Sequence, residues 1–180
     1  MSKHAAATTV SPELTNLHHY EELDARPRLR GRIHLGAAFV SVAALAWLVG
    51  VAATPRAELA AWVYGLSAIA CYATSGIYHV FARSPVARRR WRQADHAMIY
   101  VLIAGTATPM YLLAASGMWR WVMFGLMWAG AGVGITLKLV SIERFRVAGG
   151  VLYIGLGWMG LALIPNFWDR PRLLMLVVVA

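Results

Sequence analysis

Residues Leu59 to Phe81 read LAAWVYGLSAIACYATSGIYHVF, an unbroken stretch without Asp, Glu, Lys or Arg. A helix needs roughly 20 such residues to cross a hydrocarbon core of about 30 Å. A core helix of a water-soluble protein is rarely apolar on every face for that long. The stretch therefore predicts a transmembrane helix. Among its polar side chains, Ser75 and His79 are four residues apart and so on one helix face.

Working outward, the pattern repeats. Ile33 to Ala53, Ala97 to Met118 and Val147 to Trp168 are also free of Asp, Glu, Lys and Arg, and Trp121 to Leu137 forms a slightly shorter block. The whole chain is 59% hydrophobic and 14% charged, where a soluble domain carries roughly a quarter charged residues. The expected fold is an all-α polytopic membrane bundle. Its complete helices fall near 33–53, 59–81, 95–117, 119–138 and 147–166, and 173–180 starts a sixth. Residues 1–24 read as a polar cytoplasmic tail without a signal-peptide apolar run, and 25–180 as one transmembrane domain. His18, His19, Glu21 and Glu22 lie in that tail and read as a solvated cluster. Cys71 is the sole cysteine, so it has no intramolecular disulfide and reads as a small buried apolar residue.

The net charge of +9 raises the possibility of nucleic-acid binding. Its distribution argues for topology instead. Lys3, Arg26, Arg28, Arg30 and Arg32 precede the first segment. Arg83, Arg88, Arg89, Arg90 and Arg92 lie between the second and third, and Lys138, Arg144 and Arg146 between the fourth and fifth. Those 13 share one face of the membrane, against Arg56, Arg120, Arg170 and Arg172 on the other. The bias places the N-terminus in the cytoplasm, and the chain is expected to be an integral protein of the plasma membrane. Nucleic acid is not an expected partner. Membrane lipids are, because basic loops suit anionic headgroups. Trp62, Trp119, Trp121 and Trp168 near one face and Trp91 near the other fit interfacial aromatic belts.

Depth follows from orientation at about 1.5 Å per helical residue. Ser75 and His79 fall in the cytoplasmic third of the second helix. Asp95 and His96 open the third helix, and His34 lies near the start of the first. Five polar residues from three helices thus reach one leaflet, where ionisable groups are costly and tend to mark function. Asp95 has an alternative reading as a helix N-cap, and His34 and His96 as ordinary interfacial residues. Neutral imidazoles suit zinc, whose catalytic sites combine three protein ligands with water. A carboxylate beside them orients a ligand or takes a proton, and a serine hydroxyl stabilises developing charge. Gly155-Leu-Gly-Trp-Met-Gly160 matches G-x-G-x-x-G, but it lies in a membrane helix with no βαβ context, which excludes a dinucleotide fingerprint. Gly130, Gly132 and Gly134 read as close helix packing.

Taken in order, Ser75-Gly-Ile-Tyr-His79, the basic loop, Asp95-His96 and Ala104-Gly-Thr-Ala-Thr-Pro109 resemble the hemolysin III family. That family is grouped with the progestin and adipoQ receptors and the alkaline ceramidases. Leu29-Arg-Gly-Arg-Ile-His34-Leu-Gly36 and Tyr153-Ile-Gly-Leu-Gly-Trp158 resemble its first and fifth helices. The resemblance runs from about Pro27 to the last residue. It implies a seven-helix fold and a zinc ion near the cytoplasmic leaflet, held by His79 and by a His-x3-His motif of the seventh helix. Ser75 and Asp95 match polar residues around that metal. The implied chemistry is lipid-amide hydrolysis of the ceramidase type, with a sphingolipid or fatty acid as ligand. Alternatives are a membrane-perturbing cytolysin and a non-catalytic lipid-binding sensor. No His follows His96. On the family pattern the chain is expected to stop within helix 6, to lack two of three ligands and to be inactive, with His34 and His96 as weak substitutes.

Overall fold

The computed structural model describes residues 28–160, and all regular structure among them is helical. Five α-helices follow one another: α1 (Arg28–Gly50), α2 (Pro55–Val80), α3 (Pro85–Pro109), α4 (Gly117–Val140) and α5 (Arg146–Met159). A π-helical turn, Met110–Ala114, extends α3. Four of these are long and apolar enough to cross a membrane: α1, α2, α3 with its π-turn, and α4. The described part of α5 has 14 residues. The expected tail 1–24, the far end of the fifth helix and the helix at 173–180 lie outside the described residues.

Local sequence sets the helix starts. Thr54 and Ser84 cap α2 and α3, each accepting a hydrogen bond from the backbone N–H three residues on, and each is followed by a proline. The cap satisfies a donor that the first turn leaves open, and proline there has no N–H to waste. α3 therefore begins at Pro85, well ahead of the position 95 expected from hydropathy. Asp95 sits inside the helix, so its reading as the N-cap is wrong. At the other end, Pro109 lacks the N–H that would continue the α ladder, and the backbone widens into the π-turn. Gly117 then turns the chain into α4 with φ of 57°, a value that favours glycine.

Short connections make sequential helices pack as neighbours, α1 on α2, α2 on α3, α3 on α4 and α4 on α5. The buried core gathers Tyr100, Ala104, Tyr111, Met127, Ala131 and Leu156 from α3, the π-turn, α4 and α5. Trp128 Nε1–H donates to Thr108 Oγ1 at 3.1 Å, and Thr108 in turn donates to the Ala104 carbonyl at 2.8 Å. Large apolar side chains such as Phe39, Trp47, Leu126 and Val133 point outward. In water that surface would promote association. It suits a hydrocarbon surrounding.

Candidate functional site

α1 and α2 approach closely at Gly31 and Gly76, as they do farther along at Gly65 against Leu45. A Cβ on Gly31 would stand 2.7 Å from His79 Cβ and from Val80 Cγ2, and one on Gly76 would stand 2.6 Å from the Leu35 side chain. With no side chain at either place, the helices pack backbone to side chain. His34 of α1 is thereby brought beside Ser75 and His79 of α2. His34 Nδ1 and Ser75 Oγ share a hydrogen bond of 2.7 Å whose direction follows the imidazole tautomer. The His34 ring stands edge-on to Tyr72 at 5.8 Å and to His79 at 6.5 Å between centroids. Tyr78 lies against His79 at 4.8 Å.

Ser75 differs from the other helix hydroxyls. Ser41, Ser67, Thr106, Thr108 and Thr136 each donate to the carbonyl four residues back, the self-satisfying option for a hydroxyl in a helix. Ser75 is paired across the seam to a side chain of another helix. It is nearly fully buried, at 5% exposure. The spacing of Ser75 and His79 located this face correctly. His34, read from sequence as a weak metal candidate, is the partner of the serine.

Asp95 and His96 belong to a second neighbourhood. Asp95 lies on α3, which packs against α2, α4 and α5. His96 Nδ1 lies 2.9 Å from the Arg92 carbonyl. A carbonyl only accepts, so Nδ1–H donates this bond. Beyond His96, Tyr153 Oη donates to the His96 carbonyl at 3.1 Å and Tyr100 Oη to the Gly149 carbonyl at 3.0 Å. The two tyrosine rings stack at 4.3 Å.

Lys138 enters the same cluster. The charge count placed it between the fourth and fifth segments, although the expected helix 119–138 ends on it; it is in the last turn of α4 and, against that count, only 3% exposed. Its ammonium lies 5.8 Å from the Tyr153 ring centroid, a cation–π contact. Gly149 makes room for it, since a Cβ there would be 2.6 Å from Lys138 Nζ and 3.0 Å from Tyr100 Oη. The signal was available: Lys138 follows the apolar stretch directly, so it adjoins a helix rather than the middle of a loop. Gly149 opposite it could not have been paired with it from sequence.

The donor set can be tested against zinc. Among the described residues, no three His, Cys, Asp or Glu side chains converge on one point. His34 and His79 lie in the α1–α2 seam, while Asp95 and His96 are carried by α3, where His96 turns to the Arg92 carbonyl. The described residues therefore do not make a zinc site by themselves. They provide a hydroxyl and two imidazoles in one seam, and a carboxylate on the adjacent helix α3.

An outward-facing apolar surface, four spanning helices and a polar seam at the basic end together define a polytopic α-helical membrane protein. The family model of haemolysin-III related proteins matches residues 24–176. The chain belongs to that family. It is 33% identical over 117 residues to hemolysin-3 of Bacillus cereus, covering 65% of this chain and 53% of that protein. It is 30% identical over 97 residues to a hemolysin-3 homolog of Bacillus subtilis (strain 168), covering 54% of this chain and 45% of that protein. The matches span about half the length of these relatives. No solved structure matches.

Proposed function

We propose that this integral membrane protein contributes the α1–α3 part of a lipid-amide hydrolase site near the cytoplasmic leaflet of the plasma membrane, with its N-terminus in the cytoplasm. The single observation that carries the reading is the His34–Ser75 pair beside His79, at the basic end of a bundle too apolar for water. A hydroxyl drawn off its own helix and held by an imidazole is placed to donate to an oxygen that gains charge during carbonyl attack. Asp95, on the adjacent helix, is the carboxylate available to take or give a proton. His79 is the residue assigned to zinc by resemblance, and any further ligands would come from outside the described residues. A sphingolipid or fatty acid is the proposed ligand class.

Two measurements on the purified chain test this. Because no His follows His96, zinc content should be well below one per chain, and one zinc per chain lost on His79→Ala would overturn that count. With zinc supplied, any ceramide turnover by the reconstituted protein should fall on Ser75→Ala and Asp95→Asn. Saturating zinc without amide turnover would instead favour a lipid-binding sensor. The name of the Bacillus cereus relative supports a second reading, a membrane-perturbing cytolysin. Dye release from liposomes that survives both a chelator and His79→Ala would favour it.

A further inference from the structure

α3 and its π-turn form a helical run of 30 residues, about 45 Å long at 1.5 Å per residue. That exceeds the roughly 30 Å of a hydrocarbon core. The apolar part of the run is at its C-terminal end, so its first turns stand at headgroup depth. They carry Arg88, Arg89, Arg90, Trp91 and Arg92.

This stub is held in place from several sides. Arg88 Nε donates to the Ala82 carbonyl at 3.3 Å. Gln93 Nε2 donates to the Leu139 carbonyl at 2.8 Å, and Arg92 pairs with Glu143 at 2.8 Å. The last two bonds clamp the stub to the last turn of α4 and to the connection that follows it. Arg144 adjoins Glu143 in the chain, Arg146 opens α5, and Arg89 is one helical turn before Arg92. All three are exposed. Glu143 is the sole carboxylate in 81–94 and 138–147, and Arg92 already engages it. Positive charge is therefore concentrated around one clamped corner.

We propose that Arg89, Arg144 and Arg146 form a docking site for the phosphate of an anionic glycerophospholipid. Guanidinium groups bind phosphate through paired N–H donors. The corner stands at headgroup depth, and its fixed backbone means that little order is lost when a headgroup arrives. A bilayer phospholipid fits both the depth and the charge, whereas a soluble polyanion would meet the charge alone. The site is distinct from the seam and does not rest on the amide-hydrolase reading.

The test uses the full chain in nanodiscs of equal phosphatidylcholine and phosphatidylglycerol. Lipids retained after release are counted by native mass spectrometry. Retained phosphatidylglycerol should exceed phosphatidylcholine. Each arginine near an anionic surface contributes about 1 kcal/mol, so Arg89→Gln should lower the enrichment about fivefold. The Arg89→Gln/Arg144→Gln/Arg146→Gln variant should abolish it, and Arg56→Gln at the other end should leave it unchanged. If the triple variant fails to fold, Arg89→Gln alone carries the test. Equal retention of the two lipids, or unchanged enrichment in Arg89→Gln, would overturn the proposal. So would complete displacement of the lipid by free glycerophosphate, which would show a soluble-anion site.

Discussion

The seam between α1 and α2 and the cluster between α3, α4 and α5 solve the same problem in different ways. Each must keep polar groups inside an apolar bundle. The seam does so with a serine and two histidines brought together by the bare backbones of Gly31 and Gly76. The cluster does so with long side chains, Lys138, Tyr100 and Tyr153, which reach past Gly149 to carbonyls and ring faces. The seam depends on how closely two helices approach. The cluster depends on reach, and its lysine ammonium can swing where a Cβ cannot.

That contrast can be broken most severely at Gly31. A methyl there meets His79 Cβ and Val80 Cγ2, which are fixed to α2, so Gly31→Ala should force the helices apart. Overpacking of this kind costs about 1–3 kcal/mol, and thermal unfolding in micelles should show a clearly lower midpoint. Gly149→Ala meets mainly the ends of flexible side chains, so its loss should be the smaller of the two. Equal losses would remove the distinction between approach and reach.

Tyr100→Phe comes next. It leaves the Gly149 carbonyl without its buried donor, at a cost of about 1 kcal/mol. Ser75→Ala should cost less, about 0.6 kcal/mol, as is typical for a side-chain hydrogen bond between membrane helices. Combining it with His34→Ala should give less than the sum of the two single losses, measured as a double-mutant cycle.

Lys138→Met sharpens the comparison through its sign. Replacing a buried charge by an apolar side chain of similar volume is often neutral or stabilising. The unfolding midpoint should hold or rise, whereas a fall would show that the ammonium supports the fold. Arg92→Gln should have the smallest effect. Its partner Glu143 is exposed, and exposed ion pairs contribute about 0–1 kcal/mol, less as salt is added.

Much of the fold was legible in the residues. Leu59 to Phe81 announced a spanning helix, and the i, i+4 spacing of Ser75 and His79 placed both on one face. The start of α3 was legible too, in Ser84-Pro85, but hydropathy drew attention to the apolar segment beyond it. A cap acts on a few backbone donors, whereas hydropathy sums over many side chains. The second gives the louder signal and misses helix that continues outside the apolar slab. The burial of Lys138 was overlooked because a charge at a helix end reads as exposed.

From the sequence alone follow the helical membrane class and the basic end, with an expected depth for each polar residue. All of these rest on local composition and a fixed rise per residue. Only tertiary structure decides which polar groups meet. Depth says how far along a helix a side chain lies, not which neighbour it faces. His34 found Ser75, and Lys138 found Tyr153, because glycines on the opposing surfaces let the helices and side chains come close enough.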